Sequence, residues 1–358
     1  MLPLITLRLQ NQLLVQPPFD APQQVVEWMG AVQAQDYRMA KWAVGCRTAS
    51  TDATQIEAAL NRGDILRTHL LRPTWHFVSS KDLRWMLSLT ADRIRAANDS
   101  YARGTDAALD SKSIHRYMNL LQKTLEGNKH RTKEEIGEAL NQRGIPLSQY
   151  ALRHLLMRAE TDGIVCSGAD KKGTATYALL DERAPHGEEP SREEALARLA
   201  RIYFRSHSPA PLADCTWWAG LTATEARRAV ASIAEELTTE HFGDREFFVF
   251  RNAAAAAPCD TTHLLPAYDQ YLIGYKDRSD VLAKEHTSKA FNSYGIFQPV
   301  ILCDGQIVGN WKRTAGRGNV TIQTTLWEDT APESLDAAVA RYRLFIGGTK
   351  SENSPEAL

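Results

Sequence analysis

The chain has 358 residues, with 42 Lys and Arg against 43 Asp and Glu and a formal net charge of −1. Hydrophobic residues at 43% and charged residues at 24% describe a globular protein, and the length suits about two to four domains. Near-neutrality removes any bulk-charge argument for nucleic acid, so such a reading has to rest on local patches.

Other classes fall away quickly. The opening Met1–Leu7 is interrupted by Arg8, Gln10 and Asn11, which fits neither a signal-peptide core nor a membrane span. No stretch approaches the ~18–20 apolar residues of a spanning helix. The five cysteines, Cys46, Cys166, Cys215, Cys259 and Cys303, are scattered, and no histidines fall at H-E-x-x-H spacing. They read as reduced thiols of a cytoplasmic protein without a metal.

In chain order, Asp20 precedes a helix bearing Val25, Met29 and Val32, and Ala31–Asp36 falls at its end. Thr54-Gln-Ile-Glu57 caps a second helix that stops at Gly63. Ile65–Leu71 and Thr74–Val78 then read as a hairpin about Arg72-Pro73. Residues 1–110 form a first winged-helix-like module. The block 111–182 is the most regular. Ser111 caps a helix with Ile114, Met118, Leu121 and Leu125 inward; Thr132-Lys-Glu-Glu135 is a capping box, and Ser148 caps a third helix. Asp162-Gly163 turns the chain into a hairpin with Lys171 and Lys172 at its tip. Three helices followed by a hairpin is winged-helix order.

Capping boxes at Ser191–Glu194 and Thr222–Glu225, with Phe247–Phe250 as a strand, suggest a third such module over 190–255. The alanine run 253–257 marks a boundary. Residues 258–350 read as a small β-rich C-terminal domain, with strands Pro299–Cys303, Gln306–Lys312 and Val320–Leu326 and a helix from Pro332 to about Phe345. Asp304-Gly305 is a two-residue hairpin signal. The expected fold is α+β: three tandem winged-helix modules and a β-rich end.

Charge redistributes over this map. Residues 62–103 carry +4 and 111–158 carry +5, whereas 181–246 carry −5. Such polarity suits a one-sided polyanion-binding channel, although ordinary solvated helix faces produce similar swings.

Phosphate-loop, dinucleotide and serine-hydrolase motifs are all missing, and no cofactor is expected. What remains is polar residues in unexpected places. Gln33 and Gln35 flank one small apolar residue, so on an extended backbone they point the same way. Two primary amides offer donors and acceptors without charge, which suits holding a base edge or positioning a water. From spacing alone, glutamines solvating a helix end are the plainer reading. Arg67, His69, Arg72 and His76 crowd one short hairpin around Trp75. Guanidinium groups contact phosphates and an indole stacks on an unpaired base; the plainer reading is a wing with its aromatics packed inward.

These segments carry a resemblance. Gln33-Ala-Gln-Asp36, Arg67–Val78, Cys215-Thr-Trp-Trp-Ala-Gly-Leu221, Leu264–Arg278 and Val300–Lys312 resemble the AlkZ-like winged-helix DNA glycosylases, in order and over roughly Leu7 to Phe345. The resemblance implies three tandem winged helices lining a concave DNA channel. It also implies excision of N7-alkylated purines and, in some members, unhooking of interstrand crosslinks. The family's catalytic motif, two polar residues around one apolar residue, falls on Gln33 and Gln35, with Asp36 as a possible supporting group. By the same resemblance a late hairpin probes the duplex, best matched by Lys312, Arg313 and Arg317; Lys171 and Lys172 are a second cationic tip. The expectation is a monomeric, monofunctional glycosylase acting on double-stranded DNA that carries alkylated or crosslinked bases, in the cytoplasm and at the nucleoid. The alternative is a non-catalytic winged-helix regulator, although regulators of this fold usually carry one module per chain and dimerise.

Overall fold

The computed structural model describes residues 2–50, 52–103, 105, 109–187, 189–251, 261–315, 320–328 and 332–347. They form a mixed α/β fold. It opens with α1 (Leu2–Asn11), an element absent from the sequence expectation, which buries Leu4, Ile5 and Leu9. Next, α2 (Pro22–Met29) starts without a side-chain cap; Pro22 at its first turn lacks the N–H that a cap would satisfy. Gly30, at φ +74°, stops it, and a Cβ there would stand 2.3 Å from a methyl of Ile202. The chain then straightens into β1 (Ala31–Gln33), so Ala31–Gln33 is a strand and not a helix end.

Asp36 caps α3 (Tyr37–Gly45), and Asp52, rather than Thr54, caps α4 (Ala53–Arg62), which ends at Gly63 as expected. β2 (Ile65–Leu70) and β3 (Thr74–Ser79) form the anticipated hairpin, and β1 adds to it in the order β1–β3–β2. The long α5 (Leu83–Arg103) follows, also unanticipated.

Residues 111–182 hold α6 (Ser111–Leu125), α7 (Lys133–Asn141), α8 (Gln149–Thr161), the pair β4 (Val165–Ser167) and β5 (Tyr177–Leu179), and α9 (Leu180–Arg183). The capping box at Thr132 and the cap at Ser148 are present, whereas α6 is capped by Asp110 one residue before Ser111. Both later capping boxes are also present. They open α10 (Arg192–His207) and α12 (Ala223–Ala231), on either side of α11 (Leu212–Ala219). A hairpin of β6 (Leu237–Phe242) and β7 (Arg245–Phe250) completes this stretch. The alanine run lies outside the described residues. Beyond it come β8 (Thr262–Leu265), α13 (Gln270–Ile273), α14 (Thr287–Ala290), β9 (Val300–Cys303), β10 (Gln306–Ala315), β11 (Val320–Leu326) and α15 (Leu335–Gly347). The four strands form one antiparallel sheet, β11–β10–β9–β8. Asp304 and Gly305 both have positive φ, the geometry an Asp-Gly hairpin requires.

Three apolar cores hold these elements. One lies within 111–182, around Leu121, Ile136, Leu155 and Val165. The other two are divided by the β1–β3–β2 sheet. Val32, Ile65 and Phe77 enter a core shared by α1–α4 and the C-terminal sheet. On the opposite face, Ala31, Leu66 and Val78 enter a core shared with α10–α12. The N-terminal sheet is thus a partition between remote parts of the chain, which sequence periodicity could not reveal.

Buried charge ties these parts together. Arg47 and Asp269, both 0% exposed at the side chain, form a two-pronged ion pair at 2.8 and 2.7 Å. Burial alone would lower the Arg47 pKa, but Asp269 outweighs it and holds the guanidinium charged. Arg8 likewise bonds Pro209 and Asp280, 2.9 and 3.2 Å away. Removing one partner leaves the other charge buried and uncompensated. Arg47→Met is therefore expected to cost about 3–5 kcal/mol of stability, read as a lower denaturation midpoint; a loss below about 1 kcal/mol would refute this role for the pair.

Candidate active site

Strand alternation decides what Gln33 faces. Its cross-strand partners are His76 on β3 and, through His76, Thr68 on β2. All three side chains project from the face that also carries Ala31, Val78 and Leu66. They are 3%, 0% and 0% exposed, a buried polar row beside an apolar one. The Ala34 N–H donates to the Trp75 carbonyl at 2.7 Å, and Arg67 Nε donates to the Ala34 carbonyl at 3.0 Å. Both peptide groups of the residue between the two glutamines are clamped, so their spacing is fixed by the backbone.

The amide of Gln33 has a defined orientation. An Arg72 Nη donates to its Oε1 at 3.0 Å, and arginine has no acceptor, so oxygen must face Arg72. The amide NH2 therefore points away from Arg72. The Gln35 amide makes no hydrogen bond among the described residues, and its Oε1 is fully buried without a partner. A free donor and a free acceptor thus sit two residues apart. Asp36 is exposed and spends one oxygen on the Met39 amide at 2.9 Å, capping α3. Burial, and then Arg72, push His76 down to about 3, so the ring is neutral. Its Nδ1 lies 3.0 Å from the Thr74 carbonyl and so carries the proton; Nε2, an acceptor, has no partner.

The other hairpin residues face elsewhere. Arg67, His69 and Trp75 project from the opposite side of the sheet, toward α8. There Glu160 bonds the His69 ring, and Trp75 Nε1 donates to it at 3.3 Å. The Arg67 guanidinium lies over Trp75 at 4.3 Å and Tyr37 at 5.5 Å. His69 and His76 are thus inside the molecule. The hairpin is a central element, and only Arg72 at its turn is directed toward the Gln33 row. At the β4–β5 tip, Lys171 pairs with Glu135 at 2.8 Å, while Lys172 is exposed with no ion pair among the described residues. Lys312 is exposed on β10; Arg313 is half-buried; Arg317 lies outside the described residues.

Three residues to which the sequence analysis gave no role close the site. Arg72 and Arg278 both lie over Trp217, which stands on α11. Gly220, which ends α11 at φ +63°, brings that helix against the hairpin turn; a Cβ there would stand 2.4 Å from the Leu71 carbonyl oxygen. Tyr268 packs on Phe297, and burial and the Asp36 charge raise its pKa. Trp217 and Arg278 belong to the segments 215–221 and 264–278, where the resemblance was legible, but nothing local in them indicated that they would meet Arg72.

Comparison with known proteins identifies the family. The family model described as DNA glycosylase AlkZ-like matches residues 26–345, and the chain belongs to that family. An interstrand DNA cross-link repair glycosylase of Streptomyces sahachiroi is 25% identical over 319 residues, 85% of either chain. The solved structure of the Streptomyces sahachiroi DNA glycosylase AlkZ superposes with a TM-score of 0.79 at 22% identity, over 97% of this chain and 96% of that one. The protein is thus a DNA glycosylase, an enzyme that hydrolyses an N-glycosidic bond, and the alternative of a non-catalytic regulator is set aside. Among the described residues no helix is long and apolar enough to cross a membrane.

Burial also holds His207 and His263 down to about 3, as it does His76. An unfolded histidine accepts a proton near about pH 6.5, whereas these three stay neutral until near about pH 3. Their contribution to stability is therefore complete above about pH 6.5 and is lost as pH falls. Denaturant titrations at about pH 7 and about pH 5 should show a smaller unfolding free energy at the lower pH; equal values would contradict the neutral buried rings.

Proposed function

We propose that the chain excises N7-alkylated purines from duplex DNA and unhooks interstrand crosslinks made through such bases. It does so as a monofunctional, monomeric enzyme in the cytoplasm. Alkylation at N7 makes the purine a cation, so the electrons of the C1′–N9 bond leave with the base and neutralise it. No strong general acid is required. The protein has to place a water at C1′ and tolerate a cationic sugar.

The observation that carries this reading is the complementary state of the two amides. Gln33, with its oxygen held by Arg72, has N–H donors to offer. Gln35 has a buried, unpartnered oxygen to accept with. Gln35 accepts a hydrogen bond from the attacking water and so directs the water's lone pair at C1′, while Gln33 orients the water or the sugar. The new bond joins the water oxygen to C1′, and the released proton passes to solvent. Asp36, whose second oxygen is not used in capping α3, adds negative charge near the developing sugar cation.

We read residues 1–110, 111–182 and 190–255 as three winged-helix modules around a DNA channel, with 258–350 as the β-rich end. Helices followed by a hairpin in each of the three segments support that division. The β10–β11 hairpin then enters the duplex beside the site. Burial raises the Tyr342 pKa, while the Arg313 guanidinium on that hairpin lowers it and the Asp36 carboxylate raises it, so both charges lie within electrostatic reach of that ring. The name of the Streptomyces relative supports crosslinks as substrates.

In single-turnover release of N7-methylguanine, Gln35→Ala should slow excision by about 100-fold or more, and Gln33→Ala by a smaller factor. Rates near wild type for both would refute the assignment. Arg317→Ala should weaken DNA binding equally across sequences and reduce the salt slope by about one; an unchanged slope would remove Arg317 from the interface.

A further inference from the structure

Two cations share one aromatic ring beside the glutamine pair. The guanidinium of Arg72, at the β2–β3 turn, lies 5.1 Å from the Trp217 ring centre, and that of Arg278, from the segment after α13, lies 6.0 Å from it. Among the described residues neither forms an ion pair, and the one hydrogen bond of the Arg72 side chain there is to the neutral oxygen of Gln33. Arg278 donates to the Leu272 carbonyl at 2.7 Å and the Lys276 carbonyl at 3.1 Å; its remaining Nη is buried and has no partner. Phe291 and Phe297 pack on its guanidinium at 4.9 and 5.1 Å. Two carboxylates, Asp214 and Asp277, partly offset the Arg278 charge without pairing with it, and one oxygen of Asp214 is itself buried without a partner. Asp214 accepts from the amides of Lys276 and Asp277, and Asp277 pairs with Arg245. Burial and the charge of Arg278 push Arg72 down to about 10, and burial does the same to Arg278.

Like charges held close at a part-buried site without an ion-pair partner are costly in the free protein, and an anion placed against both would relieve that cost. The planar guanidinium fork matches the oxygens of a phosphate. Trp217, 40% exposed, leaves the pair open to a ligand from solvent. A second argument comes from the substrate. A cationic purine approaching two bare guanidiniums would be repelled, unless an anion is placed between them first.

We propose that Arg72, Arg278 and Trp217 form a clamp for one backbone phosphate flanking the lesion nucleotide, and that occupancy of this clamp sets the Gln33 amide for catalysis. The inference rests on the reading of Gln33 and Gln35 as the water-positioning pair. The phosphate oxygens take the free N–H groups of both arginines. Arg72 keeps one N–H on Gln33 Oε1, so the strand that carries the lesion is registered against the amide that orients the water. Arg72 and Arg278 are positioning residues; the glutamines face the reacting atoms.

Methylphosphonate walking tests the clamp. Each phosphate near a single N7-methylguanine is replaced in turn by a neutral methylphosphonate, and binding to the full chain is measured by fluorescence anisotropy alongside single-turnover excision. One position should weaken wild-type binding and slow excision by about tenfold or more. Arg278→Ala should show that loss on ordinary DNA and little further loss at that position, with Arg278→Lys intermediate. Penalties at every position that add in full to the Arg278→Ala loss would overturn the proposal. So would wild-type binding and rate in an Arg278→Ala protein whose unfolding midpoint is unchanged. If Arg278→Ala does not fold, Arg278→Lys carries the same test, because it keeps the charge and loses the fork; full additivity in that variant overturns the clamp. The binding arm requires no base release. A phosphate-specific pattern without excision would sustain the clamp and refute the glutamine reading; excision without the pattern would do the reverse.

Discussion

The buried ion pair of Arg47 and Asp269 is the constraint on which the rest of this structure depends. Arg47 follows α3, the helix that begins directly after the Gln33–Gln35 motif, and Asp269 opens α13 in a segment more than two hundred residues later. Every guanidinium nitrogen is engaged: Nε bonds the Gln12 carbonyl, one Nη the Ala43 carbonyl and Asp269, the other Gln12 Oε1 and Asp269. Gln12 in turn donates to the Tyr275 hydroxyl, which donates to the His207 carbonyl on α10. One buried network thus joins α1, α3, α10 and the segment that carries Tyr268 and Arg278. A buried pair of this kind adds little net stability over an apolar replacement, but it tolerates only one relative placement of its partners. Here that placement brings the cation and aromatic rings of the late segment to the early strand.

The chemistry follows from this assembly. The Gln33–Gln35 pair lies beside groups that carry no titratable charge in the working range, the neutral imidazole of His76 and the hydroxyl of Thr68. The charges beside the pair are the Arg72 guanidinium on Gln33 and the exposed Asp36 carboxylate next to Gln35. Such a division suits a reaction in which the leaving group supplies its own driving force. The enzyme contributes geometry and a polar environment already oriented before the substrate arrives. It also accounts for the burial of His76, whose neighbour Gln33 would otherwise face a titrating cation.

Much of the fold was legible because it is encoded locally. Capping boxes at Thr132, Ser191 and Thr222 are read from four adjacent residues, and the Asp304-Gly305 turn from two. The helix start at Asp52 was misplaced by two residues because Thr54 and Glu57 imitate a capping box. Helices α1 and α5 were missed. Basic and acidic residues in α5 break its apolar stripe on the side where Arg93 and Arg95 pair with Glu225 and Asp162 of other elements. The basic hairpin was read as one charged wing. Its period of two in fact sends Arg67, His69 and Trp75 toward Glu160, and His76 toward Gln33. That division was available from alternation, but the knowledge that both faces are covered was not.

By itself the sequence determined the family and which residues are candidates for the chemistry. The paired amides on one small residue, the absence of metal and phosphate-loop motifs, the ordered segments that mark the family and the charge polarity behind a net charge of −1 are all properties of the linear chain. Only the tertiary structure decided what each of those residues faces. Gln33 is held by Arg72, Arg67 grips a backbone carbonyl, and Arg72 and Arg278, 206 apart in sequence, both lie over Trp217. The reason is physical. Secondary structure and caps arise from interactions a few residues long, whereas burial and charge pairing depend on which distant surface covers a side chain.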